Sequence, residues 1–230
     1  ALTVIPVEGW KHGQPYSLPV KPSPNLPNDQ AIALYPSLCP FEGTAISVGR
    51  GTLYPFQVIG SPDIRISSFS FRPEALEGFD KNPMYKNQYC YGNNLRHITA
   101  PKGFSLKYII TYYQAYQDLG KADKFFTRPQ WFDLLIGNRT VREQIMKGAS
   151  EEEIRAGWQN ELEAYKKMRE KYLLTDFVKK GDNNPIYSGH AAPFLCIHQA
   201  PTTNGFPTAN TWNPFQSSFR KACIPFSPPR

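Results

Sequence analysis

Glu42, Thr44, Ser47, Arg50 and Thr52 crowd into one short segment, Glu42–Thr52, together with Gly43, Gly49 and Gly51. A carboxylate, a guanidinium and several hydroxyls set among glycines can bind a polar substrate close to the backbone. Arg50 can grip a carboxylate through two parallel hydrogen bonds, and Glu42 can act as a general acid or base. The same residues also fit a polar structural turn in which Glu42 and Arg50 merely pair with each other. Taken alone, they leave both readings open. The dinucleotide fingerprint is absent, because no further glycine follows Gly49-Arg50-Gly51 at the required spacing, and a P-loop lysine is missing too.

A second polar group precedes this segment. Pro22-Ser23-Pro24-Asn25-Leu26-Pro27 is a stiff scaffold that can hold Ser23 and Asn25 in place with little chain entropy left to lose, and Tyr35-Pro36 follows shortly after. The bland alternative is a plain structural loop. Elsewhere the signals are weaker. The four histidines, His12, His97, His190 and His198, are scattered, and no serine sits in a G-x-S-x-G elbow, which argues against an α/β-hydrolase triad. Cys39, Cys90, Cys196 and Cys223 form no C-x-x-C pair and lie beside no histidine at zinc-finger spacing, so no metal site is expected. Four cysteines permit disulfides in three connectivities, and spacing does not choose among them. Trp10, Trp131, Trp158 and Trp212 could stack on sugar rings, although Trp131 and Trp158 fall on helix stripes that suit a core.

The elements that must position these groups follow from periodicity. Residues Leu2–Val7 read as a buried strand. Between Lys11 and Pro40 the proline density excludes a helix beyond a short turn at Ala31–Leu34. Ser67–Arg72 alternates as a half-buried strand with Phe69 and Phe71 on one face, and Leu95–Thr99 is a second strand candidate. Helical spacing begins at Leu106, with Ser105 as the expected N-cap, and continues through Ile109, Ile110, Tyr113 and Tyr116 or Gln117. Short helices are expected over Trp131–Ile136 and Thr140–Lys147. Ser150-Glu151-Glu152-Glu153 is a capping box, and Ile154, Trp158, Leu162, Tyr165, Met168 and Tyr172 form an apolar stripe, so a long helix should run from Glu151 to about Tyr172. Beyond Leu174 the chain is rich in proline and poor in charge, with one strand candidate at Phe194–His198. The expected fold class is α+β: a small mixed or antiparallel sheet, long proline-rich loops and a helical C-terminal part. Residues 1–177 form the domain and residues 178–230 a tail.

Composition narrows the partners. The chain has 230 residues, 22 prolines and a net charge of +7, with 14% aromatic residues to supply a ring-rich core. The basic residues are dispersed, and the densest group, Lys166, Lys167, Arg169 and Lys171, is interleaved with Glu161, Glu163 and Glu170. That pattern is a solvated helix face rather than a nucleic-acid stripe. A basic surface also suits an anionic polymer, and peptidoglycan with its lactyl and peptide carboxylates is one. No apolar run is long enough to span a bilayer.

Taken in order, Val4-Ile5-Pro6-Val7, Gly9-Trp10-Lys11, Pro22–Pro27, Tyr35-Pro36, Leu38-Cys39, Phe41-Glu42-Gly43-Thr44, Ser47–Thr52 and Pro55-Phe56 resemble the NamZ-type exo-β-N-acetylmuramidases. Phe71-Arg72-Pro73, Cys90-Tyr91-Gly92, Phe132-Asp133, Ile136-Gly137 and Tyr172-Leu173-Leu174 extend the resemblance over about Leu2–Leu174. Departures stand at Ser37, Ala45 and Ser61, where the family tends to glycine, asparagine and alanine. The resemblance implies the C-terminal, cleft-closing domain of a two-domain hydrolase, whose N-terminal Rossmann-like domain is not in this chain and would be its partner. It implies release of N-acetylmuramic acid from non-reducing ends of peptidoglycan fragments, a secreted or cell-envelope setting, and no cofactor. On this reading Glu42 and Tyr35 are the catalytic candidates, and Ser23, Asn25, Thr44, Ser47, Gly49, Arg50, Gly51 and Thr52 bind substrate. A non-catalytic cell-wall-binding module is the alternative.

Overall fold

The computed structural model describes Thr3 and residues 15–172. The expected strand at Leu2–Val7, the strand candidate at Phe194–His198, Trp10, Trp212, Cys196, Cys223 and three of the histidines lie outside the described residues. Helix α1 spans Asp29–Leu38 and passes directly into a 3₁₀ turn over Cys39–Gly43. Three short strands follow, β1 (Val58–Ser61), β2 (Ser70–Phe71) and β3 (Cys90–Asn94). Then come α2 (Lys107–Asp118), α3 (Pro129–Ile136), α4 (Arg139–Met146) and α5 (Glu151–Arg169), the last closing in a 3₁₀ turn at Glu170–Tyr172. The class is α+β, as expected, and the sheet is wholly antiparallel with order β1-β3-β2.

Helix α1 corrects the expectation that prolines leave only a turn at Ala31–Leu34. The Asn28 side chain accepts from the Ala31 N–H at 3.0 Å, Asp29 complements the positive helix start, and Ala31, Leu34 and Leu38 bury one face. The prolines before Pro27 stop short of this segment. Pro36 falls in the last turn, where only one helical hydrogen bond is lost to its missing N–H before the chain tightens into the 3₁₀ turn. Local capping thus outweighs the regional proline count.

The sheet also departs from expectation. Leu95–Thr99 is not a strand; the strand ends at Asn94, immediately before it. Of Ser67–Arg72, only Ser70–Phe71 pairs, although the Phe69 and Phe71 rings do lie together, 6.2 Å apart. Strand β3 has the unpromising sequence Cys-Tyr-Gly-Asn-Asn, and tertiary pairing makes it a strand: Gly60 of β1 faces Gly92 directly. That close approach leaves no room for a side chain, because a Cβ on Gly92 would lie 2.0 Å from the Ile59 carbonyl oxygen and 2.5 Å from the Tyr112 hydroxyl.

Helix α2 packs its ring-bearing face, Tyr112, Tyr113 and Tyr116, against this sheet and the 3₁₀ turn. Its cap falls on Leu106 rather than Ser105, yet the Ser105 hydroxyl still accepts from the Lys107 N–H at 3.2 Å. The core is aromatic, with edge-to-face contacts between Phe41 and Tyr112 (5.6 Å), Tyr113 and Phe125 (5.4 Å), Tyr116 and Phe125 (5.3 Å), and Phe126 and Phe132 (4.9 Å). Arg142 of α4 ties to Asp133 of α3 by two hydrogen bonds of 2.8 and 2.9 Å. The capping box at the start of α5 forms as expected, with Ser150 Oγ accepting from the Glu153 N–H and Glu153 Oε2 accepting from the Ser150 N–H. The apolar stripe of α5 is core only at its start: Ile154 is buried, Trp158 is half-buried, and Met168 and Tyr172 are exposed. Cys39 and Cys90 are buried free thiols, that of Cys90 pushed up to about 12 by burial.

Candidate functional site

The 3₁₀ turn carries Glu42 outward while burying Phe41 and Gly43. Gly43 is required by close packing, since a Cβ there would sit 2.7 Å from that of Phe132 in α3. Its carbonyl accepts from the Arg128 N–H, and the Arg128 guanidinium donates to the Glu42 carbonyl at 2.6 Å, so both sides of the turn are fixed from α3. From there the chain runs to Ser47, which exchanges both backbone hydrogen bonds with Gly60, at 2.8 and 3.0 Å, and so anchors the candidate segment to the edge of β1.

Two tight turns then present Arg50. Gly49 and Gly51 both adopt the left-handed conformation, with φ of 77° and 79°. A side chain at Gly51 would also meet Pro83 at 2.4 Å, so this turn is pressed against the Pro73–Pro83 loop. Arg50 Nη2 reaches back to Glu42 Oε1 at 2.6 Å. One guanidinium nitrogen and one carboxylate oxygen make this contact, leaving Glu42 Oε2 and the other guanidinium N–H groups outside it. The Arg50 side chain is 32% exposed and that of Glu42 is 16% exposed, so solvent reaches the pair. The guanidinium also lies over the Phe56 ring, 5.3 Å from its centroid.

Phe56 is buried with φ of 57°, a conformation that a bulky residue rarely adopts, and its N–H donates to the Val48 carbonyl at 2.7 Å. The Tyr35 ring of α1 packs edge-to-face on it at 4.8 Å. Burial raises the Tyr35 phenol well above its ordinary range, the negative charge potential of Cys39 and Glu42 adds to this, and Arg50 opposes it. Tyr35 is therefore a neutral hydrogen-bonding phenol beside the ion pair, not a phenolate. Burial likewise raises the Cys39 thiol.

The structure thus brings Tyr35, Glu42 and Arg50 together. Thr44, Ser47 and Thr52 turn their hydroxyls to the backbone. Thr44 Oγ1 donates to the Phe41 carbonyl, Ser47 Oγ accepts from the Gly49 N–H, and Thr52 Oγ1 donates to the Gly49 carbonyl at 2.7 Å. Thr44 and Ser47 are buried, and their place is within the scaffold of the turn. Ser23 and Asn25 form a turn of their own, in which Ser23 Oγ accepts from the Asn25 N–H at 3.2 Å; Asn25 Oδ1 is buried and has no hydrogen-bond partner among the described residues. Two further residues went unnoticed in sequence: Phe56 as the platform under Arg50, and Arg128 as the clamp on the Glu42 backbone. Only the aromatic residue following Pro55 hinted at the first. Among the described residues no cluster of His, Cys, Asp and Glu suits a metal ion, and no helix is long and apolar enough to cross a membrane.

With this geometry in view, comparison with known proteins gives one consistent result. The family model described as exo-β-N-acetylmuramidase NamZ, C-terminal, matches residues 33–174. The peptidoglycan β-N-acetylmuramidase NamZ of Bacillus subtilis strain 168 is 31% identical over 187 residues, an alignment covering 75% of this chain and 45% of that protein. A crystal structure of a DUF1343 family protein from Bacteroides fragilis NCTC 9343 superposes with a TM-score of 0.68 at 44% identity, covering 75% of this chain and 48% of that one. The chain spans about half the length of these relatives.

Proposed function

The chain belongs to the exo-β-N-acetylmuramidase NamZ family, as its C-terminal domain, and on that premise we propose that it forms one wall of the active-site cleft of a peptidoglycan glycosidase. The activity is release of N-acetylmuramic acid from the non-reducing ends of cell-wall fragments, in the cell envelope or outside the cell. The observation that carries this reading is the single-contact Glu42–Arg50 pair, fixed on glycine turns beside the Tyr35 phenol. Arg50 keeps N–H groups for the lactyl carboxylate of muramic acid, Tyr35 contributes a neutral hydrogen-bonding hydroxyl, and Glu42 keeps an oxygen for the sugar or for proton transfer.

Glycoside hydrolysis ordinarily uses two carboxyl groups. Among the candidate site residues only Glu42 supplies one, so the second comes from the N-terminal half that the relatives' greater length provides for. The isolated chain is then expected to leave a chromogenic N-acetylmuramide intact while the full-length protein hydrolyses it. Hydrolysis by the isolated chain at a rate near that of the whole protein would show that one wall suffices. The lone carboxylate also favours a second reading, a binding module without chemistry; that reading holds if the full-length protein binds muramic-acid oligosaccharides but turns none over.

Arg50→Lys tests the carboxylate-binding role. Lysine retains the charge but neither the planar fork nor the stacking on Phe56. In the full-length enzyme kcat/KM should fall by roughly 10- to 100-fold, the loss of about one to two charge-assisted hydrogen bonds. A value within twofold of wild type would remove Arg50 from substrate recognition.

A further inference from the structure

The turn that carries Arg50 continues into a second guanidinium–ring pair. Tyr54 lies two residues before Phe56, so their Cα atoms are no more than about 7 Å apart. The Arg96 guanidinium lies 4.2 Å from the centroid of the Tyr54 ring. Both partners are held in place. The Tyr54 N–H donates to Thr52 Oγ1 at 3.0 Å, and its carbonyl accepts from the Gln57 N–H at 3.0 Å. Arg96 lies two residues past the end of β3, and its Nε donates to Asn94 Oδ1 at 3.0 Å, which sets the plane of the guanidinium. No carboxylate among the described residues pairs with Arg96, and its terminal N–H groups make no further hydrogen bond there. Leu53 and Tyr54 at the tip are 64% and 39% exposed. An oriented, uncompensated guanidinium on a partly exposed ring is a site for an anion attached to something with an apolar face.

We propose that Arg96 and Tyr54 form a second carboxylate subsite, which takes the lactyl carboxylate of the next muramic acid along the glycan while Arg50 takes the first. The assignment rests on the muramidase reading, and it makes the substrate class a polymer of at least two muramic acids rather than a terminal disaccharide alone. A glycan with alternating acidic and neutral sugars presents carboxylates at a fixed repeat. Two guanidinium groups held on rings two residues apart in sequence can bind such a chain without ordering any new segment of protein.

The test compares an unmodified disaccharide, one muramic acid and one glucosamine, with the corresponding tetrasaccharide, using the full-length protein for both turnover and calorimetric binding. Arg96→Ala should lower kcat/KM and affinity for the tetrasaccharide about tenfold, as expected for loss of a charge-assisted hydrogen bond at a solvent-reached site. The disaccharide values should stay within twofold, and a chitin tetrasaccharide, which has no lactyl groups, should not distinguish variant from wild type. An unchanged tetrasaccharide, or an equal loss on both muramic substrates, overturns the subsite. Should the wild-type protein hydrolyse neither substrate yet bind the tetrasaccharide in an Arg96-dependent way, the hydrolase reading falls and the subsite stands; absence of binding to either substrate rejects both.

Discussion

Replacing Glu42 by glutamine in the full-length protein should reduce kcat/KM by about 10²–10⁴, the range that a positioned general acid or base contributes, while the melting temperature barely moves. The substitution is nearly isosteric and removes only ionisation. The Arg128 clamp survives it, because Arg128 bonds to the Glu42 backbone carbonyl and not to the side chain. The ion pair with Arg50 is partly buried, the side chains being 32% and 16% exposed, and the amide oxygen of glutamine can still accept from the Arg50 guanidinium, so about 1 kcal/mol is lost. Activity and stability therefore separate cleanly. A large fall in melting temperature with full activity below it would make Glu42 a structural anchor of the turn, and retained activity at unchanged stability would leave it with no role in the chemistry.

The largest effect on stability is expected at Gly92. A Cβ there would overlap the Ile59 carbonyl and the Tyr112 hydroxyl, and the first of these is backbone in a paired strand that cannot swing aside. Gly92→Ala should destabilise the folded protein by about 3 kcal/mol or more, the upper end of overpacking effects. Gly78→Ala is the matched control. Gly78, unlike Gly92, has positive φ, 78°, and a Cβ there meets nothing within 4 Å among the described residues, so only the backbone preference is lost, about 1 kcal/mol. Chemical denaturation of the two variants side by side would check this; equal losses would mean that the contact between β1 and β3 yields easily.

The parts of this fold that were legible in sequence are those governed by local rules. The capping box at Ser150 and the 3.6-residue spacing after Leu106 located α5 and α2 because each signal lies inside the element it specifies. Strand β3 was misplaced by a few residues because its pairing partners, Val58–Ser61 and Ser70–Phe71, are distant in sequence and its own residues have little strand preference. Helix α1 was hidden by a proline count taken over a region wider than the helix. At the site, the spacing of Glu42 and Arg50 showed that they could meet, and they do. It could not show that Thr44 and Ser47 would spend their hydroxyls on the backbone, since that depends on how tightly the turn closes. Nor could it reveal Arg96 beside Tyr54, which the strand register brings across from 42 residues away.

The contact between Arg50 and Glu42 bears on selectivity as well as on chemistry. A guanidinium already paired with a carboxylate through one nitrogen has only its outer N–H groups left to offer, and a neutral sugar hydroxyl gains less from them than a second carboxylate does. A ligand that brings its own carboxylate competes on equal terms and can share or replace the internal one. On the proposed muramidase reading, the protein's own acid acts as a built-in competitor, setting a threshold that acidic sugars pass and their uncharged neighbours in the same polymer do not.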